Sequence, residues 1–162
     1  VLRTDGLSFT PLICFESAFP DLARTGVARG SELVVVQSAD STFQGSAELP
    51  QHAALAAVRA VETGRPVVQA TLTGNSAAYD ARGRLLAGLG DGRRGTLVVE
   101  VPRGVAGTTP YVRLGEWVPA LCVVLVGAAL LLAGVRAAAR TPPSARRPSP
   151  DRHPQGEVTA PT

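Results

Sequence analysis

The chain has 162 residues and a mass of 16.7 kDa, enough for one domain with a real core. Hydrophobic residues make up 45% and charged residues 18%, which excludes a wholly disordered chain. All 16 basic residues are Arg. Residues 1–116 hold 11 of them against 11 acidic residues, so the +3 excess lies in a tail and indicates no nucleic-acid-binding surface. The two Cys, 108 positions apart, give neither a disulfide framework nor a metal-ligand spacing. With no Met and no Lys, the chain is expected to be a piece of a longer protein, and Val1 is not expected to be its natural start.

In chain order, residues 9–14 predict a short apolar strand. Residues 17–29 follow as a helix, with Ser17 as N-cap, Pro20 in the first turn and Gly30 as the stop. Leu33-Val-Val-Val-Gln37 has the composition of a fully buried strand. A second helix starts near Pro50, passes through Leu55, Val58 and Val61, and ends at Gly64 with Pro66 beyond it. Arg59 and Glu62 are spaced to pair across one turn of its surface. Residues 67–70, 76–79, 85–86 and 96–101 predict a β-meander, with a turn at Asp80-Ala-Arg-Gly83. Alternating strands and helices make residues 1–116 an α/β unit.

Residues 117–135 are free of charge for 19 positions. At about 1.5 Å per residue they span roughly 28 Å, close to the hydrocarbon thickness of a bilayer. Soluble helices rarely stay apolar on all faces over such a length. Trp117 at one end and Arg136 and Arg140 at the other suit the two interfaces. One transmembrane helix is expected over 117–138, with Cys122 as a small packing residue inside it. Five Arg follow the span, so the positive-inside rule puts residues 1–116 outside the cytoplasm and the tail within it. That tail, 139–162, has six Pro from Thr141 onward and is expected to be disordered.

Pro11-Leu-Ile-Cys-Phe-Glu-Ser-Ala-Phe-Pro20 is the most chemically suggestive stretch. Cys14 closes a strand just before a helix, a geometry that brings a thiol near helix N–H groups and favours thiolate. In an extended segment Glu16 points to the same side and can orient a neighbouring group or help move a proton. On these residues alone, a buried structural Cys is the more frequent outcome. His52 opens a helix with no Asp or Ser at a suggestive spacing, so a capping or surface role is expected. Gly88-Leu-Gly-Asp-Gly92 lacks the Lys and following helix of a phosphate loop.

Cys14-Phe-Glu-Ser-Ala-Phe-Pro20 resembles the Cys-aromatic-acid segment of the nitrilase (carbon–nitrogen hydrolase) superfamily. The likeness continues in order through Gly30-Ser-Glu-Leu-Val-Val-Val-Gln-Ser-Ala-Asp40, Gln51-His52, Arg59-Ala-Val-Glu-Thr-Gly-Arg-Pro66, Thr73-Gly-Asn-Ser76 and Asp80-Ala-Arg-Gly83. An ordered series is far more specific than any one of its motifs. Gly107-Thr-Thr-Pro-Tyr-Val-Arg-Leu-Gly-Glu-Trp117, running straight into the apolar span, resembles the apolipoprotein N-acyltransferase family within that superfamily.

The resemblance implies the C-terminal half of an α-β-β-α sandwich followed by one transmembrane helix. It implies a Glu–Lys–Cys triad, with Cys14 as nucleophile and Glu16 as a supporting glutamate, while Asp40 and Phe43 map near the substrate pocket. A phospholipid would give its acyl chain to Cys14 as a thioester. The chain would then pass to the diacylglyceryl-cysteine of a lipoprotein, with no cofactor, no metal ion and no nucleic acid involved. In the family the base Glu and the Lys lie upstream of the Cys, so the chain as given is expected to be catalytically incomplete. Ser41-Thr-Phe-Gln-Gly45 and Leu72-Thr-Gly74 depart from the family's usual loops, which leaves the lipid-pocket detail open. A membrane-tethered amidase of the same superfamily and a non-catalytic membrane-anchored remnant remain the alternatives.

Overall fold

The computed structural model describes residues 1–104 and 107–140; the expected tail beyond position 140 lies outside the described residues. Contacts divide the chain into two units, Val1–Pro119 and Ala120–Thr162.

The first unit is built on one six-stranded sheet in sequence order: β1 (Leu2–Thr4), β2 (Leu7–Ile13), β3 (Leu33–Ser38), β4 (Val67–Thr71), β5 (Ser76–Tyr79) and β6 (Leu85–Leu89). β2, β3 and β4 run parallel, and antiparallel pairs flank them on both sides. Parallel neighbours need long crossovers, and the two helices supply them: α1 (Pro20–Ala28) joins β2 to β3, and α2 (Glu48–Thr63) joins β3 to β4. Alternation along the strands buries Thr10, Leu12, Val34, Val36, Val67 and Gln69. Ala23 and Val27 of α1 and Ala56 and Ala60 of α2 complete that core with Val112. Val112 belongs to the short α3 (Pro110–Leu114), whose N-cap Thr109 accepts a hydrogen bond from the Val112 N–H at 3.2 Å. Next to it the Tyr111 hydroxyl donates to Glu116 at 3.1 Å, and burial together with that carboxylate pushes the phenol up to about 12.

Several boundaries differ from the sequence expectation, each for a physical reason. The helix expected over 17–29 is split, with a 3₁₀ turn over Cys14–Ala18 followed by α1. Pro20 disfavours helical backbone at the preceding residue, and Phe19 is extended at φ −94° and ψ 105°. Ser17 is therefore buried inside the turn instead of capping α1. In α2 the apolar trio does not form the core face: Val58 and Val61 are 44% and 55% exposed. The face of small residues at 53, 56 and 60 packs inward instead, alongside Leu49 and His52. α2 stops as expected at Gly64, which takes the left-handed φ of +64° and donates to the Ala60 carbonyl at 2.9 Å.

Residues 96–101 form no strand. Val98 is 92% exposed, so this β-prone segment finds no pleated, half-buried surface to join. The β1–β2 hairpin, turning at Asp5-Gly6, was not anticipated. In the second unit the described residues are helical: α4 (Trp117–Arg140) begins just before it and continues to Arg140. Trp117–Ala139 has a mean hydropathy of 2.6 and is long and apolar enough to cross a membrane.

The β5–β6 turn carries a pH-sensitive lock. Asp80 accepts the Arg84 and Arg82 amides at 2.9 and 2.8 Å and the Arg84 guanidinium at 2.8 Å. Chiefly the Arg84 amide, then the other two donors, hold its carboxyl below the ordinary carboxylate value. A lowered folded-state value stabilises the turn above the unfolded carboxylate value of about 3.9, and the contribution is lost as pH falls through the lower folded value. Protection of the Arg82 and Arg84 amides from hydrogen exchange, relative to their intrinsic rates at each pH, should therefore fall selectively below about pH 4. Asp80→Asn should remove that pH dependence, and acid-independent protection in the unmodified protein would contradict the lock.

Candidate active site

The parallel strands end side by side. At their C-terminal edge lies a groove of about 630 Å³ lined by Cys14, Val35, Gln37, Ala70, Thr71 and Leu72 among others. Ligand sites in open α/β sheets form at this edge, outside the carboxyl ends of the strands. The lining is mostly apolar, with Cys14 as its thiol.

Cys14 begins the 3₁₀ turn after β2 with φ +51°, one of two non-glycine residues with positive φ among the described residues. For an L-residue that conformation costs roughly 1–2 kcal/mol, and such strain persists where the surroundings over-determine it. Glu16 does not extend alongside Cys14, because the segment is a turn. Its carboxylate reaches back to accept the Ile13 N–H at 2.7 Å, stitching the end of β2 to the turn.

Behind the turn lies a buried polar chain. Asp40, 1% exposed, follows β3; its carboxylate accepts from the Ser38 hydroxyl and contacts His52 Nδ1 at 3.2 Å. His52, 3% exposed on the inner face of α2, turns Nε2 to the Cys14 carbonyl at 3.2 Å and to Ser17 Oγ at 3.0 Å. Ser17, fully buried, also donates to the Cys14 carbonyl at 3.1 Å. His52 is thus neither a cap nor a surface residue. Its partners are the Asp and Ser that linear spacing did not reveal, 12 and 35 positions away. The signal that would have found it is its place at the i+3 position from Leu49, on the same helical face as Ala53, Ala56 and Ala60.

Asp40 lies behind the groove rather than among its lining residues. Phe43, 47% exposed in the turn Ser41–Phe43, does not line it either. Asp40, Glu48 and His52 bring one ligand-type atom each to within 4.8 Å of one another, and Glu48 Oε2 is buried without a hydrogen-bond partner. Both His52 nitrogens have protein partners, so Asp40 and His52 belong to a hydrogen-bonded network, and Glu48 stands beside it.

A model of the carbon-nitrogen hydrolase family matches residues 1–111. The chain belongs to the carbon-nitrogen hydrolase family. Among its relatives, the apolipoprotein N-acyltransferase of Caulobacter vibrioides is 40% identical over 118 residues, covering 72% of this chain and 22% of that protein. Those of Shewanella oneidensis and Gloeobacter violaceus are 37% and 42% identical, covering 81% and 83% of this chain and 24% of each relative. The chain thus spans about a quarter of the length of the curated relatives it matches. A mutant of the amidase from Nesterenkonia sp. AN1, solved after Michael addition of acrylamide at its active-site cysteine, is 26% identical with a TM-score of 0.52. That match covers 71% of this chain and 44% of the amidase.

The site's tightest backbone approach is at Gly74. With φ +111°, a Cβ placed there would stand 2.8 Å from Asp40 Oδ2. Gly74→Ala should lower stability by about 1–3 kcal/mol, the range for a strained backbone position. The readout is the denaturant midpoint of the membrane-embedded protein, and an unchanged midpoint would contradict this packing.

Proposed function

We propose that this chain carries the nucleophile and the membrane-entry part of an apolipoprotein N-acyltransferase. The observation that carries the reading is the strained Cys14 turn at the mouth of an apolar groove. Its similarity to enzymes of that name adds support, as does the apolar helix that follows.

In this reading the Cys14 thiolate attacks the ester carbonyl of a phospholipid. The carbon–oxygen bond breaks, the departing lysophospholipid oxygen takes a proton, and an acyl thioester remains on Cys14. The α-amino group of a lipoprotein's diacylglyceryl-cysteine then attacks the thioester, loses a proton and releases the thiolate. Both tetrahedral intermediates need donors at the oxyanion, each worth a few kcal/mol. The chain holds no Lys, so the family's oxyanion Lys, with its base Glu, is assigned to residues outside these 162. Glu16 supports the turn through the Ile13 amide, Asp40 acts from behind the groove, and Phe43 is an exposed aromatic ring outside the groove lining. Residues 117–138 cross the cell membrane, residues 1–116 lie on the extracytoplasmic side and the Arg-bearing tail from 139 is cytoplasmic.

The test is the N-terminal lipopeptide of a lipoprotein, weighed by mass spectrometry after incubation with the full-length protein in membranes. Cys14→Ser should abolish the third acyl chain, a loss of roughly 10³-fold or more, as for other covalent nucleophiles. Undiminished N-acylation would overturn the reading. Free fatty acid released to water as fast as the amine is acylated would point to the membrane-tethered amidase instead.

A further inference from the structure

Asp40, His52 and Ser17 are buried, so none of them can touch substrate. His52 and Ser17 nonetheless converge on one backbone atom, the carbonyl oxygen of Cys14, with Asp40 on the other nitrogen of the ring. That carbonyl belongs to the peptide joining Cys14 to Phe15, and holding it fixes ψ of the residue whose φ is +51°. A helix packing on a sheet needs no imidazole for this; an alanine face suffices, as it does one and two turns further along α2.

The ring bridges two protein groups, the Asp40 carboxylate at Nδ1 and the Cys14 carbonyl at Nε2. Nδ1 contacts Asp40 at 3.2 Å, and Nε2 contacts both the Cys14 carbonyl at 3.2 Å and Ser17 Oγ at 3.0 Å. The Ser17 hydroxyl donates to the same carbonyl. Ser38 holds the far side of Asp40 and so orients the carboxylate that orients the ring.

We propose that the buried chain Ser38–Asp40–His52–Ser17 is a positioning device for Cys14, clamping its carbonyl so that the left-handed turn aims the thiol into the groove. The proposal rests on the reading of Cys14 as nucleophile. His52 is a positioning residue: it acts on the backbone of Cys14 and takes no proton from its thiol.

The test follows hydroxylamine-sensitive acylation of Cys14 by mass spectrometry, using the full-length protein in vesicles with dioleoyl phosphatidylethanolamine as acyl donor. Rates are expressed per folded molecule. His52→Ala should lower the maximal rate of adduct formation on the order of 10²-fold, the effect of misplacing a reacting atom by about 1 Å, and leave the half-saturating lipid concentration unchanged. His52→Gln, which can still present an N–H to the Cys14 carbonyl, should recover about tenfold of that loss. A purely structural His52 would lower the folded fraction and leave the rate per folded molecule alone, with Gln no better than Ala. Either result overturns the proposal. If His52→Ala does not fold, Ser17→Ala carries the same test, with an expected fall of about tenfold, near the value of one hydrogen bond, and a wild-type rate overturning it. Unmodified protein that forms no adduct on Cys14 would refute the nucleophile reading and this proposal together. A normal adduct with a normal His52→Ala rate would refute the positioning role by itself.

Discussion

Cys14 occupies backbone that L-residues avoid, and the contact that holds it there is the one between His52 and its carbonyl oxygen. Much of the local architecture serves that contact. β3 must end where Ser38 can hold Asp40, and α2 must begin early enough to put His52 on its inner face. The loop after β4 must admit a residue without a side chain, because Gly74 lies against the same Asp40 carboxylate. A buried polar network left half satisfied would be destabilising; here Asp40 and both His52 nitrogens have partners, and the network ties the β3–β4 crossover to the turn that opens the β2–β3 crossover.

The sheet makes this arrangement possible. Three parallel strands end at one edge, so the turn after β2 and the loops after β3 and β4 are neighbours although they are separated in sequence. The groove they enclose is mostly apolar because Ile13, Val35, Ala70 and Leu72 line it together with Cys14. An apolar groove suits an acyl chain better than a polar amide. The charge-free helix α4 gives the same chain a segment able to enter a bilayer. The two features concern different parts of the chain and both fit the lipid chemistry proposed for it.

Much of the fold was legible in the sequence because local signals agreed. The run at 33–37, the Gly64 stop and the Asp80 turn each combine pattern with a residue that only one geometry favours. Failures came where a tertiary partner decided the outcome. Residues 96–101 have strand composition but no ladder to join. Along α2 the sequence did not say which face turns inward: Val58 and Val61 stay exposed and the alanine face packs on the sheet.

The site divides in the same way. Cys14 and Glu16 were singled out because they lie two residues apart in the stretch that carries the family likeness, but the turn that sends Glu16 back to the Ile13 amide was not legible. The role of Asp40 and the burial of His52 were not legible either, because both depend on how the β3–β4 crossover packs against the turn after β2. The most direct check of the central constraint is an experimental structure of the full-length protein with His52→Ala, at a resolution that defines the peptide after Cys14. The account predicts that this peptide rotates and Cys14 leaves the left-handed region, moving the thiol out of the groove. An unchanged φ near +51° with the thiol still in place would contradict it.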